Sequence, residues 1–465
     1  MSSEHAKAHF DQAAEGRGRE FLAPWERAFD TVLSPLDEFI HRQTTSGILL
    51  MLCAVIALVI ANSPWADAYQ HLIHTPLSIS LGGLSLDKSL QHWINDGLMA
   101  LFFFVVGLEL KREMLVGELA SLRNAALPIV AALGGMLVPA LIFYLLNPDG
   151  DGARGWGIPM ATDIAFAIGV LVLLGERIPK ALITFLIALA IADDLGAVMV
   201  IAVFYTEQLN TTALGWSALL LGVLIAFNRG GIRAYQAYFL VGALLWLAML
   251  SSGVHATIAG VLTAFTIPAL PKYDPARFSA SVKGLLERFD RAYQQEQDIR
   301  RNDHLRSLAH SLQTGTSLVQ APLQKLEHKL HLPVALLVIP IFALTNAGVP
   351  LNTEALGSAF GSSITLGIIG GLILGKFIGI AGLSWLALRL GIGSLPKGTR
   401  FTHVAGVAWL GGIGFTMAIF IGDLAYLHQP ELQVLAKTGI LTASLAAGII
   451  GCVWLWLTTR PPQPQ

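Results

Sequence analysis

Long, nearly unbroken apolar runs alternate along the chain with short polar segments. Twelve such runs centre near residues 46–63, 96–110, 125–146, 157–174, 181–204, 212–227, 235–251, 254–270, 333–350, 364–388, 404–426 and 438–458. A helix needs roughly 20 mostly apolar residues to cross a bilayer. Hydrophobicity within the runs is continuous, whereas a membrane barrel strand alternates with a period of two over about ten residues. The pattern predicts an all-α membrane protein of about 12 transmembrane helices. Residues 1–45 and 459–465 are then terminal tails, 46–270 the first eight helices and 333–458 the last four. Between them, 271–332 is a charged, helix-prone insert, with stretches such as Leu285-Leu286-Glu287-Arg288-Phe289. A different pattern occupies Leu77-Ser78-Ile79-Ser80-Leu81-Gly82-Gly83-Leu84-Ser85-Leu86-Asp87, where apolar and polar residues alternate around a Gly-Gly pair. It predicts a β-hairpin near 77–87 with a two-residue turn. Such a hairpin is marginal alone and has edges to pair. Either it joins a second copy into a homodimer, or it folds onto its own helices.

Composition fits lipid as the solvent. Apolar residues make up 54% of the chain and charged residues 13%, against about 25% charged in a soluble domain. With a net charge of −1 and no basic patch with interleaved aromatics, the sequence points to the bilayer as partner and to no nucleic acid. Cys53 and Cys452 both lie inside apolar runs, which excludes a disulfide framework or a zinc site. No cofactor is expected. The polar N-terminal 45 residues lack the apolar core of a cleaved signal. With twelve alternating spans and a cytoplasmic N-terminus, 26 of the 30 Lys and Arg fall on the cytoplasmic side. Lys88, Arg154 and Lys437 fall outside, and Lys376 lies mid-span. Positive charge gathers on the cytoplasmic side of membrane proteins, so both termini are expected there.

Ionisable residues inside spans are expensive, about 2.5–3.5 kcal/mol each on insertion scales, and suggest function. Three runs carry them near the middle: Ala192-Asp193-Asp194-Leu195, Gly375-Lys376-Phe377 and Ala161-Thr162-Asp163-Ile164. Adjacent residues on a helix point about 100° apart, so one aspartate can contact a cation while the other meets a neighbouring helix. Burial and mutual repulsion both oppose two bare charges side by side. Such a carboxylate holds a proton or a hard cation, hardly both, and competition for one site combined with alternating access is antiport. Lys376 has two readings: a structural ion pair with an aspartate, or a direct part in proton exchange. Asp163 likewise either caps a helix break or supports the ion site.

The fourth run is punctuated by Gly157, Pro159 and Thr162-Asp163, and the eleventh by Gly411-Gly412-Ile413-Gly414-Phe415-Thr416. Each is the middle member of a three-span group, 125–204 and 364–458, and predicts a helix interrupted near mid-membrane. Paired interruptions of this kind point to inverted-topology repeats. Half-helix ends carry partial charges, which Asp163 and Lys376 are placed to neutralise. Free carbonyls there and the Thr162 hydroxyl could help to coordinate a dehydrated cation.

Several motifs closely resemble the NhaA family of sodium/proton antiporters: Ala161-Thr162-Asp163-Ile164-Ala165-Phe166-Ala167, Ala190-Ile191-Ala192-Asp193-Asp194-Leu195-Gly196-Ala197 and Gly412-Ile413-Gly414-Phe415-Thr416-Met417. So do Trp93-Ile94-Asn95-Asp96-Gly97-Leu98-Met99-Ala100, Gly107-Leu108-Glu109-Leu110-Lys111-Arg112-Glu113 and Ser252-Gly253-Val254-His255-Ala256-Thr257. The likeness runs from about residue 40 to 458. That family is itself an example behind the inverted-repeat rule, so the paired interruptions and the resemblance count as one observation.

The resemblance implies an electrogenic exchanger of a bacterial inner (cytoplasmic) membrane, moving two protons inward per sodium or lithium expelled. It implies that Asp193 and Asp194 bind the ion or the protons, that Lys376 pairs with Asp193, and that Thr162 and Asp163 support the site. Glu109, Arg112 and Glu113 resemble the family's pH-responsive cluster; a solvated helix end is the alternative. His255 is expected to be a packed, hydrogen-bonded histidine. Two departures stand out: the insert is about forty residues longer than usual, roughly 277–318, and segment 228–236 has no histidine.

Other classes fit less well. An intramembrane aspartyl protease needs two aspartates converging from separate helices, and Asp163 and Asp193 qualify, but its Gly-x-Gly-Asp pattern is absent. No His-Glu-x-x-His or Gly-x-x-x-x-Gly-Lys-Ser/Thr motif supports a metalloprotease or an ATP-driven pump. A sodium-coupled symporter on a similar scaffold needs an organic-substrate cavity, for which the sequence offers no obvious polar lining. A channel suits interrupted helices around titratable pairs less well than alternating access does.

Overall fold

The computed structural model describes residues 43–81, 84–206, 209–271, 275–295 and 302–459. It is mostly helical. Seven helices among the described residues are long and apolar enough to cross a membrane, and up to ten spans result if each sharply bent pair counts once. The protein is a multi-pass membrane protein.

In chain order, α1 (Gln43–Ala61) is followed by the short α2 (Ala66–His74), turned by 114° from it. Hydropathy alone did not mark α2, because its mix of Asp67, Gln70, His71 and His74 hides an amphipathic pattern. Strands β1 (Pro76–Leu81) and β2 (Leu84–Ser89) pair antiparallel, with Leu81 opposite Leu84 and Leu77 opposite Lys88. The intervening Gly82-Gly83 lies outside the described residues. Next come α3 (Leu90–Val116) and α4 (Leu122–Leu146). A tight 3₁₀-type helix over Asp151–Met160 leads into α5 (Ile164–Leu173), bent by 43° across the break. Then follow α6 (Lys180–Phe204), α7 (Thr211–Arg229), α8 (Tyr235–Leu250) and α9 (Ile258–Thr266). Where hydropathy outlines a span over 254–270, only the nine residues of α9 are helical, because Gly253 takes a positive φ of 83° and turns the chain.

In the insert, α10 (Pro275–Gln295) and α11 (Asp303–Val319) form an antiparallel helical hairpin around Ala292, Leu305 and Leu308. Asn302 caps α11 by accepting the Leu305 N–H at 2.9 Å. Helix α12 (Pro322–Asn346) starts at Pro322, so its first turns fall within the stretch that polarity assigns to the insert. They are amphipathic: Leu323 and Leu326 are buried, while Glu327 and His331 face charged partners. After the short α13 (Thr353–Gly361) come α14 (Ser363–Arg389), α15 (Phe401–Leu410), α16 (Phe415–Ala425) and α17 (Pro430–Thr458). Helices α15 and α16 are bent by 47° across their break.

Small residues let helices touch backbone to backbone at the centre. Helices α4 and α14 cross at Gly134 and Gly379, where a Cβ on either would run into the other's carbonyl. Membrane helices associate through such close packing, since lipid tails are as apolar as leucine. The crossing seats Lys376 three residues away. Gly134→Val is expected to lower stability by about 1–3 kcal/mol or more, because backbone atoms cannot move aside as a flexible side chain can. Gly222→Ala on α7, with no atom within 4 Å of the added carbon, is expected to be neutral. Thermal unfolding of both variants in detergent checks this; equal midpoints would refute the crossing.

Candidate functional site

The two bent elements cross at their breaks. Thr162 donates its hydroxyl proton to the Gly411 carbonyl at 2.9 Å, and the Asp163 N–H donates to the Ile413 carbonyl at 2.6 Å. Gly414 permits the approach, since a Cβ there would stand 3.1 Å from the Ala161 carbonyl.

Asp163 sits just before α5 and serves two helices at once. Its Oδ1 accepts the Phe166 N–H of α5 at 3.0 Å. Its Oδ2 accepts the Thr416 N–H of α16 at 3.0 Å and the Thr416 hydroxyl at 2.5 Å. One carboxylate thereby satisfies orphan donors at two helix N-termini and opposes both positive ends.

Lys376 is fully buried, as are Asp193, Asp194, Thr162 and Asp163 to within 2% exposure. The lysine ammonium donates to Asp193 Oδ2 at 2.5 Å and to the Thr162 hydroxyl at 2.9 Å. A wide π turn over Gly371–Gly375 precedes it, with the Lys376 N–H reaching back to the Gly371 carbonyl. Turns of this kind recur at functional sites. Through Thr162, Lys376 is linked to the Gly411 carbonyl at the eleventh-run break. The Thr162 hydroxyl thus donates to the Gly411 carbonyl and accepts from Lys376, which leaves one of its lone pairs for a further partner.

The two adjacent aspartates diverge as helical geometry requires. Asp193 turns to α14 and its lysine. Asp194 Oδ1, buried on α6, has no hydrogen-bond partner among the described residues, and neither has Asp193 Oδ1. A buried carboxylate oxygen without a donor is costly unless a proton or cation meets it. The centre brings together Asp193, Lys376, Thr162, Asp163 and, beside them, Asp194.

Glu109, Arg112 and Glu113 lie elsewhere, near the end of α3. Arg112 bridges Glu113 at 2.9 Å and Glu327 at 2.9 Å, while His331 lies 3.1 Å from Glu109. Glu113 also accepts the Glu118 N–H at 3.0 Å. Glu327 and His331 carry little signal in the sequence because they sit in a charged stretch, Leu326-Glu327-His328-Lys329-Leu330-His331. The spacing of its leucines was the available signal. His255 packs edge-on against Phe420 at 5.5 Å and lies 3.0 Å from the Thr257 hydroxyl.

Helix pairs bent across short breaks, carboxylates and an amine enclosed between them, and apolar surfaces outside define a polytopic membrane protein built around a charged centre. The chain belongs to the family described as Na+/H+ antiporter 1, whose model matches residues 37–455. It is 56% identical over 431 residues to the Na(+)/H(+) antiporter NhaA 1 of Saccharophagus degradans, covering 93% of each chain. It is 52% identical over 436 residues to the Na(+)/H(+) antiporter NhaA of Sulfurimonas denitrificans, covering 94% of this chain and 98% of that one. The Na(+)/H(+) antiporter NhaA of Acidithiobacillus ferrooxidans is 51% identical over 431 residues, 92% of this chain and 98% of its own.

Proposed function

We propose that the protein is an electrogenic secondary antiporter that expels sodium or lithium in exchange for protons across a bacterial inner membrane, with both termini cytoplasmic. The observation that carries this reading is the buried centre in which Lys376 pairs with Asp193 and, among the described residues, Asp194 Oδ1 beside it has no hydrogen-bond donor. A carboxylate so placed takes either a hard cation or a proton. Alternate exposure of that one group to the two sides of the membrane couples the flows. The names borne by the relatives support the choice of ion.

The scaffold we assign is twelve spans in inverted repeats, with the elements around 161–163 and 411–414 as the interrupted fourth and eleventh. Transport of two protons per ion places one on Asp194 and the other on Asp193 or Lys376. The ion is cargo, and no cofactor enters the cycle. Glu109, Arg112 and Glu113, joined by Glu327 and His331, are the candidate pH-responsive group, and the hairpin near 77–87 is the candidate dimer contact.

Proteoliposomes with an acidic interior and an enclosed pH dye test the exchange. External sodium is expected to raise the interior pH as protons leave, and potassium is not. Correctly inserted protein that ignores sodium throughout the neutral and alkaline range would overturn the reading.

A further inference from the structure

A second buried polar cluster lies on the hairpin side of the molecule, away from the centre. Asp423 is in the last turn of α16 and Lys437 near the start of α17; both are buried, with Lys437 Nζ 2.9 Å from Asp423 Oδ1. Asn95 of α3 and Asn346 at the end of α12 pair through their amides. Asn346 Nδ2 donates to Asn95 Oδ1 at 2.8 Å, and Asn95 Nδ2 donates back to Asn346 Oδ1 at 3.3 Å. Asn95 Nδ2 also donates to Asp423 Oδ2 at 3.4 Å, and Gln91 adds a bond to Asn346 Oδ1 at 2.9 Å.

The placement of these residues gives the cluster its meaning. Helices α16 and α17 belong to the second three-span group, whereas α3 and α12 belong to neither group. The Asn95–Asp423 bond therefore ties a three-span group to the rest of the molecule. It does so at one end of α16, and the opposite end of that helix holds Asp163 through Thr416. One turn beyond Asp194 in the same direction, Phe103, Val198, Ile201, Thr257, Ile258 and Val261 close together and leave no room for a water molecule.

We propose that the Asn95–Asp423 contact is a latch that holds the hairpin-side path to Asp194 shut, making Asn95 and Asp423 positioning residues for exchange. The proposal rests on the exchange reading above. The Lys437 ammonium, 2.9 Å from Asp423 Oδ1, balances the charge of Asp423 within the cluster. A cycle that moves the three-span groups against α3 and α12 must break this bond in the state open to the hairpin side. Removing it favours that state by as much as the bond favoured the closed one.

A chain carrying Cys53→Ala, Cys452→Ala and Val198→Cys reports on the path through its reaction with an impermeant thiol reagent added on the hairpin side. Asn95→Leu removes the bond and keeps the Asp423–Lys437 pair. It is expected to speed labelling about tenfold, the scale of one hydrogen bond to a charged group, and to lower the KM for sodium supplied from that side. Asn95→Gln, still able to donate, is expected to restore slow labelling. Asp423→Leu with Lys437→Met removes the bond from the other partner and is expected to match Asn95→Leu, which guards against misfolding of either variant alone. Unchanged labelling in both, in a parent that exchanges sodium for protons, overturns the latch. A parent that folds and labels but does not exchange overturns the antiport reading instead.

Discussion

Asp194→Asn is expected to abolish sodium-driven proton release, while the protein still inserts and folds. The amide matches the carboxylate in shape, so the surrounding helices lose no packing. It cannot become an anion. A hydrogen bond or ion contact to a charged group contributes about 1.5–3 kcal/mol, so cation affinity alone should drop by roughly tenfold to a hundredfold. Loss of transport goes further than that, because the amide has no proton to trade and the coupling step disappears. Raising the sodium concentration is therefore not expected to rescue the variant. The same dye-loaded proteoliposomes provide the measurement. A residual rate that recovers at high sodium would show that Asp194 only tunes affinity and that the exchanged proton sits elsewhere.

Lys376→Met tests the other half of the centre through stability. Asp193 would keep its burial and lose its ammonium partner, and breaking a buried pair from one side costs about 3–5 kcal/mol. Adding Asp193→Asn removes the orphaned charge, and the double variant is expected to regain most of the loss, since neutral replacement of a buried ion pair is often harmless. Thermal unfolding of the wild type, both single variants and the double variant closes the cycle, with coupling read as departure from additivity. If Lys376→Met were as stable as the wild type, Asp193 would be neutral in the resting protein and the lysine would not be its counter-ion.

The charged centre was partly legible in the sequence because Asp193, Asp194 and Lys376 interrupt strongly apolar runs, where each charge is conspicuous. The 100° step between neighbouring helical residues also indicated that the aspartates would diverge. Which aspartate meets Lys376 was not legible from spacing, because the rotation of α14 depends on the turn before the lysine; that pairing came with the resemblance. Asp163 had two readings, and its contacts to Phe166 and Thr416 place it as a cap for two helices. The Asn95–Asn346 pair gave no signal, being two neutral amides 251 residues apart. Asp423 lies toward the end of its run, where a charge attracts little notice. The truncation of α9 turned on the backbone at Gly253, which hydropathy does not register.

The turn over Gly371–Gly375 also bears on how this chain tolerates changes of length. A wide turn accommodates one more residue than a regular helical turn without shifting the segments on either side of it. Deleting one residue there would give a regular helix with an unchanged apolar surface, by composition equally fit for a bilayer. Deleting a second residue would rotate everything before the deletion by about 100° relative to everything after it. Lys376 and Gly379 could then no longer meet Asp193 and Gly134 while Gly371 kept its place against Pro159. Beyond that one residue, insertions and deletions that any hydropathy profile would accept are thus closed to this segment, and relatives that share its centre are expected to keep the residue count between Gly371 and Lys376 or to be shorter by one.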